Sequence, residues 1–243
     1  MGRFIGGIFS NESTLGRIMT VFGIMIGANI LFAVFSLPVV TIGPGLAALH
    51  YVMLKMLHRD NSLNPFKTFW EGFRQNLKQG TVCWLIFLAI AAFLILDIRF
   101  CIYQGGILVW FKYALYALGF LVCMLWVCLM PVMAAFEDTI PHLLRNALFF
   151  ASKNPLRAVA AAVIWALPLA VTVLDERMRP LYGFCWVTCG FGILSAVTSG
   201  LFYRDIARYL PAGEEDGEKK EPAQEAYEKN ERQIRREMKK LDR

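Results

Sequence analysis

Residues 18–54 read IMTVFGIMIGANILFAVFSLPVVTIGPGLAALHYVML and contain no Asp, Glu, Lys or Arg. As one straight helix this stretch would be about 55 Å long, well beyond the ~30 Å hydrocarbon core of a bilayer. The chain supplies its own interruption. Pro38 removes a helical hydrogen bond, and Gly43-Pro44-Gly45 is a strong turn signal. The stretch therefore reads as a membrane span over Ile18–Leu37, an irregular segment over Pro38–Gly45, and a short helix over Leu46–His58. Irregular backbone at membrane depth persists only where protein or a lined cavity surrounds it. That makes Pro38–Gly45 the segment to watch.

Further uncharged blocks follow at Gly80–Leu96, Tyr113–Phe136, Ala158–Leu174 and Pro180–Tyr203. Each matches the roughly 17–25 residues needed to cross a bilayer as a helix, which alone satisfies its own backbone in lipid. The 243-residue chain is 57% hydrophobic and 18% charged, with a mean hydropathy of +0.48. A soluble domain carries about 25% charge and could not cover so many apolar helices. The expected fold is an all-α polytopic membrane helical bundle, with five full spans, a short helix after the Pro/Gly break and two amphipathic interfacial helices. The first of these lies over Phe66–Gln79 after an Asn64-Pro65 start, with Phe66, Phe69, Trp70 and Phe73 opposite Lys67, Glu71, Arg74 and Lys78. The second lies in Glu137–Pro155, with Leu143, Leu144, Ala147 and Phe150 on one side. Pro131 is expected to end one span and Pro168 to kink another. The expected domains are a transmembrane region over residues 1–210 and a charged tail over 211–243, helical or disordered.

The net charge of +6 lies entirely in residues 1–203, since residues 204–243 balance 11 basic against 11 acidic groups. The basic excess is juxtamembrane, so a lipid bilayer and not nucleic acid is the expected partner. The Lys and Arg groups at 55–78, at 145–157 and in the tail belong on the cytoplasmic side, and so does the C-terminus. Two placements of the N-terminus remain open. A hairpin over Ile18–His58 puts 21 basic residues inside and 4 outside; a non-crossing short helix puts 19 inside and 6 outside. The partition favours the hairpin. Arg3 and Arg17 precede the apolar run without a cleavage-site pattern, and Gly6 stands where a myristoylation signal needs Ser or Thr, so a retained, unlipidated N-terminus is expected.

No phosphate-binding glycine loop, zinc-protease helix or nucleophile elbow appears. The six cysteines have no CxxC spacing, and His50, His58 and His142 do not complete a metal set with them. No cofactor, metal or enzymatic activity is expected. Charged residues deep in the spans would mark a transport path, and their absence argues against a proton-coupled carrier. Asn29 and His50 are the polar exceptions, read as interhelical hydrogen-bonding groups or, with Pro38, Thr41, Gly43 and Pro44, as the rim of a cavity. The acidic pair Glu137-Asp138 reads as the solvated start of the following helix or as an ion site. Gly23 and Gly27, and Gly192, Ala196 and Gly200, form small-residue ladders for close helix packing or for a homo-oligomer seam.

The stretch Phe35–Leu49, with its Leu37-Pro38, Thr41 and Gly43-Pro44-Gly45, resembles the signature of the bacterial YesL family. So do Phe69-Trp70 followed by Phe73–Gln79, and Asn146–Phe150 with Asn154-Pro155. The resemblance covers roughly residues 10–210. It implies a bacterial plasma-membrane protein accessory to carbohydrate uptake, working beside a sugar ABC transporter or another membrane protein, and brings no catalytic residues. Phe69, Trp70, Phe73, Arg74, Asn76, Lys78, Asn146 and Asn154 are then the candidate partner surface. A small transporter or channel with a path near Pro38–Gly45 is the alternative.

Overall fold

The computed structural model describes residues 14–58, 63–136 and 138–207. All belong to the first of the two units into which the chain divides, Met1–Ala207. The expectations for the N-terminal segment, for Glu137 and for the charged tail therefore lie outside the described residues. Every regular element among the described residues is helical, as expected of the fold class.

Helix α1 spans Thr14–Phe35. It exposes Ile18, Phe22, Ile26, Ile30 and Val34 at four-residue spacing and buries Met25, Ala28, Asn29 and Phe32. Its outer stripe is apolar and its one amide faces inward, the arrangement that suits lipid. The chain leaves this helix at Ser36 and makes a single 3₁₀ turn over Val39–Thr41.

Helix α2 then begins at Ile42 and runs to Leu57, so Gly43-Pro44-Gly45 is its first turn and not part of the break. Proline costs nothing there, because first-turn N–H groups have no intrahelical acceptor. The glycines serve for space rather than for backbone freedom. Positive φ occurs among the described residues only at Gly105 (69°) and Gly106 (60°), which turn the chain between α3 and α4. A Cβ on Gly43 would collide with the Gly80 carbonyl oxygen and the Trp84 side chain, and one on Gly80 would lie 2.8 Å from the Pro44 Cα. Further along the pair, a Cβ on Gly72 would lie 2.9 Å from the Tyr51 ring. The α2 backbone thus rests directly on α3.

Helix α3 spans Pro65–Gln104, 40 residues and about 60 Å. Asn64 caps it, its Oδ1 accepting from the N–H groups of Phe66 (3.0 Å) and Lys67 (3.4 Å). The expected interfacial helix and the following span are therefore one element. Nothing breaks the chain between Gln79 and Gly80, and a lone glycine weakens a helix by about 1 kcal/mol without ending it. The first half does not lie free on a membrane surface: Phe69 and Phe73 are buried against Phe35, with ring centroids 5.9 and 5.1 Å away. Lys67, Glu71, Arg74 and Lys78 are exposed.

Helix α4, Leu108–Ala135, continues through Pro131 rather than ending there. Its residues Trp126–Ala134 are buried on every side, between α2, α5, α6 and α8, and this packing holds the helix together past the proline. Helix α5, Ile140–Lys153, buries Leu143, Ala147 and Phe150 and exposes Arg145, Leu148 and Phe149. Helix α6, Pro155–Leu174, contains Pro168. The last segment is α7 over Arg179–Cys185, a π-turn over Trp186–Gly190 and α8 over Phe191–Ala207. Sequence reading places one regular span there.

Six helical segments are long and apolar enough to cross a membrane, including Val39–Leu57, which sequence reading takes as a short extra helix. The small-residue ladders are half used. A Cβ on Gly192 would lie 3.1 Å from the Met25 carbonyl oxygen and one on Gly27 3.5 Å from Pro65, whereas a Cβ on Gly23 or Gly200 would meet nothing within 4 Å.

Gly80→Ala is expected to lower the free energy of unfolding in detergent by about 1–3 kcal/mol, because backbone and not a flexible side chain must move. Gly23→Ala should leave it unchanged or slightly raised. Thermal unfolding of both variants checks the contact, and equal stability would refute it.

Candidate functional site

An interrupted helix leaves carbonyls without donors, and in lipid each one costs several kcal/mol. At the break the Thr41 hydroxyl donates to the Phe35 carbonyl and to that of Pro38 (2.7 Å), while the Thr41 N–H bonds the same Pro38 oxygen at 2.9 Å. The Trp84 indole N–H, from α3, donates to the Val39 carbonyl at 2.7 Å. Trp84 is held by Trp126 and Phe87, with ring centroids 5.3 and 5.6 Å away. The predicted residues Pro38, Thr41, Gly43 and Pro44 thus form a closed backbone joint supported from α3.

The π-turn creates the same need in the last segment, because its extra residue takes local carbonyls out of register. Asn29 meets it from α1. Its amide donates to the carbonyls of Trp186 (2.9 Å) and Val187 (2.6 Å), and its Oδ1 accepts from the Gly192 N–H (2.7 Å). Asn29 is wholly buried, and these three bonds employ both donors and the acceptor of its amide. The Phe32 ring packs tilted against that of Phe191, centroids 4.8 Å apart, beside this joint.

His50 lies in the same core, fully buried on α2. Its Nδ1 is 2.9 Å from the Ser199 hydroxyl on α8, and its ring stacks with Trp165 of α6 at 6.4 Å. The Trp165 indole N–H donates to Thr198 at 2.9 Å. His50 Nε2 and the Ser195 hydroxyl are buried without a hydrogen-bond partner. The structure brings Asn29 and His50 to the same helix, α8, at positions two turns apart, and Thr41 stays at the break. These polar groups bind helix to helix.

Sequence reading misses one charged cluster. Asp205, counted there only in the charge balance of residues 204–243, is buried at the end of α8. It accepts from Arg157 Nη1 at 2.6 Å and from the Asn154 amide at 2.9 Å, with Lys153 Nζ 3.8 Å away. The cluster fastens the α5–α6 junction to α8. Its signal was available: Arg157 stands at the mouth of an apolar helix, and Ser195, Thr198 and Ser199 mark the inward face of α8 that leads to Asp205.

Of the candidate partner surface, Phe69, Phe73 and Asn76 are buried. Asn76 donates to the Gly72 carbonyl at 3.0 Å. Asn146 is half-buried and Asn154 belongs to the Asp205 cluster. Trp70, Arg74 and Lys78 remain outward, next to exposed Phe66 and Leu77. No group of His, Cys, Asp or Glu able to hold a metal ion occurs among the described residues.

Asn29→Leu is expected to cost about 2–4 kcal/mol, since two carbonyls and one N–H lose their partner. Asn29→Asp should be no better, because a carboxylate cannot donate to Trp186 and Val187. Unfolding measurements in detergent check both; an Asp variant as stable as the native chain would show that the carbonyl bonds carry little. At the charged cluster, Asp205→Asn and Arg157→Gln are each expected to cost about 1–2 kcal/mol and the double variant less than their sum. A coupling energy of zero in that cycle would make the contact incidental.

A family model described as "Protein of unknown function, DUF624" matches residues 19–98. The match takes in most of α1, the break, α2 and most of α3, and so covers the Thr41 and Trp84 joint; it stops before the π-turn, Ser199 and Asp205. No curated protein and no solved structure matches the chain.

Proposed function

We propose that this chain is a non-enzymatic accessory protein of the bacterial plasma membrane, of the YesL kind, that works beside a carbohydrate ABC transporter with its C-terminus in the cytoplasm. One observation carries the reading. Asn29, Trp84 and the Arg157–Asp205 pair hold elements of the bundle together, while α3 presents an outward strip that mixes Phe66, Trp70 and Leu77 with Lys67, Arg74 and Lys78. Aromatic and cationic side chains of this kind favour a protein contact near the membrane surface. Leu148, Phe149 and Arg145 on α5 extend the supply of such side chains. The carbohydrate connection rests on the resemblance of Phe35–Leu49 and Phe69–Gln79 to that family. The alternative of a solute path at the break draws no support from Asn29 and Thr41, whose bonds are made within the protein.

The test is gentle extraction of the tagged chain from its native membrane and identification of what comes with it. Transporter subunits are expected to co-purify, and Trp70→Ala combined with Arg74→Glu should reduce their yield about tenfold while leaving the bundle's thermal transition in place. Recovery of lipid and the chain alone would refute the reading.

A further inference from the structure

Two cavities lie in succession along α3 where it changes character. The first is an open polar cleft of about 390 Å³ between α3 and the α4–α5 connection, lined by Gln75, Asn76, Gln79, Asp138 and Thr139. The second is an apolar slot of about 90 Å³ among α3, α4 and α5, whose walls include Cys83, Ile90, Val122, Leu129 and Ile140. Their linings are neighbours along the chain. Gln79 and Cys83 are one helical turn apart on the same face of α3, and Thr139 is followed directly by Ile140. The boundary between them coincides with the step from the charged first half of α3 to its uncharged stretch from Gly80. A polar cleft stacked on an apolar slot at that step has the order of a lipid, headgroup and then chain.

The cleft also specifies the headgroup. Two of its amides are tied to the backbone: the Gln79 Nε2 donates to the Asp138 carbonyl at 2.8 Å, and the Asn76 Nδ2 to the Gly72 carbonyl. The Gln79 and Asn76 side-chain oxygens beside them are acceptors. The Asp138 carboxylate adds another. Its Oδ1 accepts from the Thr139 N–H at 2.7 Å and lies 3.1 Å from the His142 Nδ1, which leaves Oδ2 for a ligand. Among the described residues the lining holds no Lys or Arg. A site of acceptors around one carboxylate fits a group that donates several hydrogen bonds and carries positive charge, and it disfavours an anion. We propose that the cleft binds the primary ammonium of an aminolipid, phosphatidylethanolamine, with the upper part of one acyl chain in the slot.

The experiment is native mass spectrometry of the full chain in detergent, titrated separately with phosphatidylethanolamine, phosphatidylcholine and phosphatidylglycerol of identical chains. Phosphatidylcholine keeps the positive charge without N–H donors, and phosphatidylglycerol has hydroxyl donors but no cation. Phosphatidylethanolamine is expected to bind about tenfold more tightly than either, a difference of about 1.4 kcal/mol. Asp138→Asn should abolish that preference. Val122→Phe, which fills the slot, should weaken binding of phosphatidylethanolamine, whereas Ile95→Phe, an enlargement on the exposed surface of α3, should not. Equal affinity for the three lipids, or an undiminished preference in Asp138→Asn, would overturn the assignment. So would equal losses in Val122→Phe and Ile95→Phe. Should Val122→Phe fail to fold, the headgroup comparison and Asp138→Asn still decide. None of these outcomes depends on which protein, if any, co-purifies with the chain.

Discussion

A backbone carbonyl buried in hydrocarbon must find a donor inside the protein, and this chain interrupts its helices twice within long apolar segments. Both interruptions are repaired by side chains from another element. Trp84 reaches from α3 to the break, beside the local bonds of Thr41, and Asn29 reaches from α1 to the π-turn. These repairs also fix geometry. A donor placed within 3 Å of a particular carbonyl sets the rotation and height of one helix against its neighbour, so α1, α3 and the last segment are registered by the bonds that make their irregularities tolerable.

The close contact of α2 with α3 follows from the first repair. Trp84 can reach Val39 only if the two backbones lie nearly in contact, and Gly43 and Gly80 remove the side chains that would hold them apart. Within a bilayer such contact contributes through dispersion and packing rather than through release of water, since lipid tails are as apolar as leucine. The burial of Phe69 and Phe73 against Phe35 extends the same interface to the amphipathic half of α3. Half of an aromatic stripe that looks suited to a membrane surface, Phe69 and Phe73, is thereby consumed by the protein's own core.

The internal polar groups form a graded series. Asn29 and Thr41 serve backbone carbonyls, His50 meets Ser199, and the ion pair of Arg157 with Asp205 sits at the helix ends. Charge appears only where an apolar segment stops, which is where burying an ion costs least. The outward groups of the chain, on the first half of α3 and on α5, are those left for lipid headgroups and partners.

The sequence by itself determined the fold class, the apolar segments, the start of α3 at Asn64-Pro65 and the irregular backbone after Leu37. Those features depend on local properties, namely hydropathy over about 20 residues, proline's missing donor and the capping chemistry of asparagine. It also singled out Asn29 and His50, because a polar side chain in an apolar span is conspicuous without any structure. Only the tertiary structure decided that Gly43-Pro44-Gly45 opens a helix and that α4 passes through Pro131. It alone showed α3 as continuous from Pro65 to Gln104 and Asp205 as inside the bundle. In each case the outcome depends on a neighbour distant in sequence: Gly80 for the glycines, the enclosing helices for Pro131, Phe35 for the aromatic face of α3 and Arg157 for Asp205. Local rules give the tendency to break, to lie at an interface or to stay solvated, and packing against those neighbours supplies the larger free energy that settles it.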